Sequence, residues 1–127
     1  MIEQIDTQLL AQIIEGEAGG MGIPGMSACA ATLSYRIWQD GQDMARIARE
    51  YYGRETPGPF AELLAELIVG GELPDSDCAF IYSRADVDTG GYPPADYRLI
   101  QGAGGDGNEL HLYREWPAET LRKAAEK

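Results

Sequence analysis

Basic residues are scarce in this chain of 127 residues. Lysine and arginine together number 10, against 21 aspartates and glutamates, and the formal net charge is −11. Proteins bind nucleic acid and anionic membrane surfaces through clustered positive charge, and the sequence contains no such cluster. We therefore expect neither nucleic acid nor a membrane among its partners.

Cysteine is scarcer still, with only Cys29 and Cys78 in the chain. Two cysteines do not make a disulfide framework, and without a CxxC pair the sequence has no zinc motif. Cys29 falls on the apolar face of a predicted helix, where it is expected to be a small buried residue, and a bridge to Cys78 stays open. We expect no metal and no cofactor.

Long apolar runs are also missing. No stretch approaches the length of a membrane span, and the N-terminus has neither the basic region nor the apolar core of a signal peptide. The chain as given is therefore predicted to be soluble and to carry no export signal, which leaves its localisation and its oligomeric state open. Its length suits a single domain over residues 1–127.

Helical patterns cover most of the chain. The spacing of apolar residues predicts helices over residues 7–18, 24–38, 43–52, 60–69 and 117–127, with Asp6 capping the first and Pro24 in the first turn of the second. The leucines of the fourth helix are assigned to the core.

Three short segments, 78–82, 97–100 and 109–113, have strand patterns, and the last alternates polar and apolar residues as a half-buried strand does. Residues 83–96, with two glycines and two prolines, are predicted to be an exposed loop. The glycine-rich residues 102–107 are predicted to form a hairpin tip or flap, and they lack the Lys and Ser/Thr of a phosphate-binding loop. The fold class is therefore α+β, mostly helical, with a small antiparallel sheet in the C-terminal half.

Two glutamates end the first predicted helix. Glu15 lies two residues beyond Ile13, about 200° around the helix, and is predicted to face water. Glu17 lies four residues beyond Ile13 and three beyond Ile14, on the apolar stripe. Shielding from water and the negative end of the helix dipole both favour the protonated form of a carboxyl at that position. A glycosidase needs that form in its general acid.

The segment that starts at Glu17 resembles the signature of the bacterial cell-wall hydrolase family, which contains the germination-specific spore-cortex-lytic enzymes. The family pattern is Glu-Ala-Arg/Gly-Gly-Glu, a turn that ends in Gly, and an Ala/Val-rich helix that closes on Asn-Arg-Val. Here the corresponding residues are Glu17-Ala18-Gly19-Gly20, Gly25 and the stretch 26–37. The second Glu of the pattern is Met21 in this chain, and the Asn before Arg36 is Tyr35. Looser similarity continues through the strands at 77–82 and 107–113.

The resemblance implies a lysozyme-like domain and a peptidoglycan-cleaving lytic transglycosylase or muramidase-like hydrolase, with Glu17 as its catalytic residue. In the family mechanism this residue protonates the glycosidic oxygen between N-acetylmuramic acid and N-acetylglucosamine. It then removes the proton of the muramoyl C6 hydroxyl, which closes onto C1. A hydrolytic variant needs a second acid, for which Asp86, Asp88 and Asp96 are candidates.

Candidate substrate-binding residues are Tyr82 and Tyr97, which could stack on sugar rings, and His111, which could hydrogen-bond a sugar. A lone histidine in a strand is more often structural, and the structural role is slightly preferred here. Two other functions stay open. One is a non-catalytic glycan- or protein-binding module on the same fold. The other is a small acidic adaptor with an accidental likeness to the motif. The charge of −11 favours the adaptor, since peptidoglycan is itself acidic.

Overall fold

A computed structural model of the chain describes residues 5–51, 53–73, 78–100 and 109–126. Its helices are α1 (Thr7–Ala18), α2 (Gly22–Ser34), α3 (Met44–Glu50), α4 (Pro59–Val69), α5 (Arg84–Gly90) and α6 (Pro117–Ala125). Its strands are β1 (Phe80–Ser83), β2 (Tyr97–Ile100) and β3 (Glu109–Tyr113). A 3₁₀ turn over Gly19–Met21 follows α1, and a π-helical turn over Tyr35–Gln39 follows α2. The predicted α+β class, mostly helical with a small antiparallel sheet in the C-terminal half, is confirmed.

The described residues fall into two compact units, an N-terminal one up to residue 73 and a C-terminal one from residue 78. In the N-terminal unit, α1 packs against α2 and α4. Asp6 starts α1 as predicted, because its side chain accepts the Leu9 N–H at 3.0 Å. The core of this unit consists of fully buried aliphatic side chains, each of which contributes about 1.5–3 kcal/mol to the stability of the fold. They are Leu10, Ile13, Ile14, Leu33, Ile47 and Ile68.

The loop of residues 53–58, between α3 and α4, lies directly against α1. A Cβ on Gly53 would stand 2.7 Å from the carbonyl carbon of Gly16 and 2.8 Å from the Glu17 nitrogen. A Cβ on Gly16 would in turn overlap the backbone of Gly53 and Arg54. Glycine at both positions therefore lets the two backbones approach more closely than any side chain would permit.

The C-terminal unit contains a three-stranded sheet in the order β1-β3-β2, with both pairs antiparallel. Phe80 of β1 lies opposite Tyr113 of β3, and Tyr97 of β2 lies opposite Leu112. The predicted half-burial of β3 is wrong, because all five of its residues are buried. This strand pairs along both edges, and α5 packs against it. The predicted hairpin tip at 102–107 lies outside the described residues.

The predicted exposed loop over 83–96 is also wrong in its first half, which forms α5. The hydroxyl of Ser83 caps this helix by accepting the Asp86 N–H at 3.2 Å, and Val87 is its buried residue. Gly91 ends the helix in the left-handed conformation, with φ of 62°. A serine cap and a glycine stop are both helix signals, and the glycines and prolines of the segment obscure them.

Smaller differences concern the other helices. Helix α2 begins at Gly22, two residues before the predicted Pro24, and α3 ends at Glu50 because the backbone of Tyr51 is extended. Leu63 is 49% exposed, so its assignment to the core is wrong. The buried stripe of α4 runs instead along Ala61, Leu64, Ala65 and Ile68. No helix among the described residues is both long enough and apolar enough to cross a membrane.

Gly16→Ala is expected to destabilise the chain by about 1–3 kcal/mol, because the added Cβ meets loop backbone, which cannot move aside as the end of a side chain can. In an ordinary helix interior the same change would stabilise by about 1 kcal/mol. Gly20→Ala is the matched control, since a Cβ there meets none of the described atoms within 4 Å. Urea denaturation measures both variants, and equal stability of Gly16→Ala and the parent chain would contradict the close backbone contact.

Candidate functional site

Glu17 lies in the last turn of α1 with its side chain half-buried. Its Oε1 accepts the backbone N–H of Gly53 at 2.8 Å. The donor belongs to the loop that crosses the end of α1, so one of the two carboxyl oxygens is held by backbone rather than by a mobile side chain. A carboxyl fixed in this way is oriented before any ligand arrives, as proton transfer requires.

Glu15 does not face water, so its predicted exposure is wrong. The side chain is half-buried, and its Oε1 accepts the N–H of Gly58 at 2.9 Å. Its Oε2 lies so close to Gly19 that a Cβ on that residue would overlap it. Helix geometry correctly places Glu15 away from the apolar stripe, but the loop of residues 53–58 covers that side of the helix.

Three backbone N–H groups of this loop donate to α1. Gly53 donates to Glu17 and Gly58 donates to Glu15, as described above. Between them, the N–H of Glu55 donates to the carbonyl of Gln12 at 3.2 Å. The loop is therefore attached near both of its ends and in its middle.

Arg54 fixes the turn from which the Gly53 N–H projects. Its guanidinium donates to the carbonyls of Tyr51 at 2.5 Å, Gly53 at 2.8 Å and Ala48 at 2.9 Å. Carbonyls at the end of a helix lack intrahelical donors, and a basic side chain there is a favourable partner. Arg54 thus joins the end of α3 to the loop.

A buried polar cluster, formed by Cys29, Thr32, Arg36 and Tyr51, lies in the same unit. The hydroxyl of Thr32 donates to the Cys29 carbonyl at 2.8 Å and lies 3.0 Å from the hydroxyl of Tyr51. Because a hydroxyl has a single proton to donate, Tyr51 is the donor to Thr32. The guanidinium of Arg36 lies over the Tyr51 ring, 4.8 Å from its centroid.

Two groups of this cluster have raised pKa values. Burial is the main cause of the raised pKa of the Cys29 thiol. The Glu17 carboxyl, when it is ionised, raises this pKa further, whereas Arg36 lowers it. Burial likewise raises the pKa of the Tyr51 phenol, against an opposing effect of Arg36. The raised pKa favours the protonated form of both groups, a form that is less suited to act as nucleophile or base. Cys29 and Cys78 are both buried, and they do not form a disulfide with each other.

Two of the positions at which the chain departs from the cell-wall hydrolase pattern have definite environments. Met21, in place of the second Glu, is 3% exposed and belongs to the core. Tyr35, in place of the Asn, begins the π-helical turn and is half-buried. Arg36, which matches the pattern, is 3% exposed and pairs with Glu50 at 2.7 Å. The position of the second Glu therefore supplies no acid.

Tyr82, predicted to bind substrate, lies on β1 of the C-terminal unit opposite His111. Its ring packs edge-on against Tyr92, with centroids 5.2 Å apart, and against Tyr113, with centroids 5.8 Å apart. It is half-buried, so much of its ring is used within this aromatic cluster.

Tyr97, the second predicted aromatic contact, starts β2 and is 50% exposed. The guanidinium of Arg114 lies 5.2 Å from its ring centroid and donates to its hydroxyl at 2.7 Å. The exposed part of this ring is suited to stacking on a ligand.

His111 lies on β3 and is 9% exposed. Its Nε2 is 3.7 Å from Oε1 of Glu109 and has no hydrogen-bond partner among the described residues. Glu109, itself 5% exposed, receives the guanidinium of Arg84 on its other oxygen at 3.1 Å. Because Nε2 is shielded from solvent, the structure favours the structural role for His111 over contact with a sugar through this nitrogen.

The three candidate second acids also lie in the C-terminal unit. Asp86 and Asp88 are exposed on α5, and Asp88 lies 3.7 Å from the Nε of Arg84. The exposed carboxylate of Asp96 accepts the backbone N–H of Arg114 at 2.8 Å. These are the environments of solvated surface acids.

Gly53 could not be recognised from the sequence as a partner of Glu17, because it directly follows the predicted helix over 43–52 and no local pattern links it to α1. One signal of the contact is Gly16, which lies in the interior of α1. An interior glycine costs about 1 kcal/mol of helix stability relative to alanine and often has a packing reason. Here the reason is the close approach of Gly53.

No protein-family model, no curated protein and no solved structure matches the chain. A function for it must therefore come from the chemistry of its own residues.

The pKa of Glu50 predicts how the stability of the fold changes with pH. Burial alone would raise its pKa, but the hydrogen bonds and charges of Arg46 and Arg36 outweigh burial and hold the pKa below its ordinary value of 4.5. Because the pKa of Glu50 is lower in the folded chain than in the unfolded one, the ionised carboxylate stabilises the fold above pH 4.5. This stabilisation is lost as the pH falls below 4.5. Because the side chain is 34% exposed, the effect is at most about 1 kcal/mol.

The measurement is urea denaturation of the parent chain and of Glu50→Gln at neutral pH and at pH values below 4.5. The variant should lose less stability on acidification than the parent. Glu66→Gln, which alters an exposed residue on α4, serves as the control and should behave as the parent. The same acid dependence in Glu50→Gln and the parent would contradict the assignment.

Proposed function

We propose that the chain cleaves peptidoglycan between N-acetylmuramic acid and N-acetylglucosamine, with Glu17 as general acid and base on a lysozyme-like fold. The observation that carries the proposal is the half-buried Glu17 carboxyl at the end of α1, with one oxygen held by the Gly53 N–H at 2.8 Å. A general acid must point at the leaving oxygen, and a backbone donor fixes its direction without bringing in a second charge.

The proposed reaction uses Glu17 twice. As the bond between the muramoyl C1 and the glycosidic oxygen breaks, the oxygen of the leaving N-acetylglucosamine takes the Glu17 proton. The muramoyl C6 oxygen bonds to C1, and its proton passes to the Glu17 carboxylate. The residue ends protonated as it began, and no water is consumed. Tyr97, whose ring is 50% exposed, is proposed to stack on a sugar of the glycan strand.

The environments of the candidate second acids support this route over hydrolysis. Two-carboxylate glycosidases place the second carboxyl at a defined distance from the first. In this chain the position of the family's second Glu carries the buried Met21, and Asp86, Asp88 and Asp96 are exposed. Intramolecular attack by the C6 hydroxyl needs only Glu17.

Glu17→Gln should lower the rate at which a peptidoglycan suspension clears by about two orders of magnitude or more, the usual contribution of a positioned general acid. The fold should persist, because the carboxamide oxygen can still accept the Gly53 N–H. Glu66→Gln is the matched control, since it makes the same change at an exposed position. The control is placed at Glu66 rather than at Glu15, because Glu15 accepts the Gly58 N–H and so contacts the loop that holds Glu17. Equal clearing rates for Glu17→Gln and the parent would remove Glu17 from the mechanism.

The products should be muropeptides that end in 1,6-anhydro-N-acetylmuramic acid, without new reducing ends. Mass spectrometry of the digest identifies them, because the anhydro product is lighter than the hydrolytic one by one water. Reducing-end products would contradict the transglycosylase reaction and require a second acid.

The second candidate function is a non-catalytic glycan-binding module, which the replacement of the motif's second Glu by the buried Met21 favours. Retained binding to peptidoglycan without any soluble product would support that function and contradict the enzymatic one.

A further inference from the structure

The carboxyl of Glu15 lies between two glycines. Its Oε1 is 2.9 Å from the Gly58 nitrogen, and a Cβ on Gly58 would stand 3.3 Å from the same oxygen. Its Oε2 occupies the space in which a Cβ of Gly19 would lie. Glu15 is thus closely packed, unlike the solvated glutamates on exposed helix faces.

Gly58 is the N-cap residue of α4, and it has no side chain to cap that helix. Its N–H donates to Glu15 of α1, so this hydrogen bond ties the start of α4 to the end of α1. A negative charge at this place also interacts favourably with the positive end of the α4 dipole. The interaction therefore stabilises the point at which the loop of residues 53–58 enters α4.

The same loop carries the donor to Glu17 at its other end. Gly53 donates to Glu17, Gly58 donates to Glu15, and the Glu55 N–H attaches the middle of the loop to α1. Releasing the loop at Gly58 removes one of these three attachments and gives the whole segment more freedom.

We infer that Glu15 is a positioning residue: by holding Gly58, it keeps the loop of residues 53–58 against α1 and so keeps the Gly53 N–H on the Glu17 carboxyl. The effect on catalysis rests on the proposed function, whereas the effect on the loop does not. Glu15 acts here as a hydrogen-bond acceptor and exchanges no proton with the substrate.

Three substitutions in the full chain separate the possible roles of Glu15. Glu15→Ala removes the acceptor. Glu15→Asp keeps the charge but withdraws the carboxylate by one methylene, which breaks the hydrogen bond to Gly58. This variant therefore tests the inference even if Glu15→Ala fails to fold. Glu15→Gln keeps an oxygen in place, so it should rescue the interaction. Glu66→Ala on the exposed face of α4 is the control.

The first readout is hydrogen exchange of the Gly53 and Gly58 amides, followed by NMR. Glu15→Ala and Glu15→Asp should speed exchange at both amides by about tenfold, the effect of losing one hydrogen bond. Glu15→Gln and the control should match the parent. Faster exchange at Gly58 with unchanged exchange at Gly53 would overturn the inference, and so would parental exchange in Glu15→Asp.

The second readout is the kinetics of peptidoglycan cleavage. Glu15→Ala and Glu15→Asp should lower kcat by about tenfold with KM nearly unchanged, and Glu15→Gln should restore kcat. A loss in Glu15→Gln as large as that in Glu17→Gln would overturn the inference, because it would make Glu15 a second acid. If the parent chain cleaves no peptidoglycan, the proposed function fails, and the exchange at Gly53 still decides whether Glu15 positions the loop.

Discussion

The close contact between α1 and the loop of residues 53–58 is the constraint on which the candidate site depends. Gly16 and Gly53 have no Cβ, so the two backbones come together at a distance that excludes any side chain. At this separation the Gly53 N–H reaches Glu17 at 2.8 Å. A larger residue at either position would push the loop away and lengthen that hydrogen bond. Two residues without side chains therefore determine the orientation of the acid to which we assign the chemistry.

Elements of the fold that depend on neighbouring residues could be predicted from the sequence. The cap at Asp6 and the start of α6 at Pro117 lie where local signals place them, because caps and fixed backbone angles act within one turn. Helix α5 was predicted as loop, since the glycines and prolines of its segment obscure the cap at Ser83. The full burial of β3 could not be predicted, because the alternation of a strand does not reveal that a helix packs against it.

The difference between local signals and contacts with distant residues also explains what could be predicted of the site. The helical period places Glu17 on the inner side of α1 and Glu15 away from it, which requires only the residues of one helix. Their partners, Gly53 and Gly58, lie 36 and 43 residues further along the chain. No local pattern encodes contacts at such separations, and the period of a helix does not tell which loop crosses it. The sequence therefore points to Glu17 as the candidate acid but not to the groups that hold its carboxyl.

The most direct test of the central claim is a crystal structure of Glu17→Gln bound to a peptidoglycan fragment that it cannot cleave. If Glu17 is the general acid, the bridging oxygen between N-acetylmuramic acid and N-acetylglucosamine should lie about 2.6–3.2 Å from the side-chain amide at position 17. The Gly53 N–H should still donate to the oxygen of that amide. A fragment bound with every glycosidic oxygen out of reach of residue 17 would contradict the account, and so would the absence of binding at millimolar concentration.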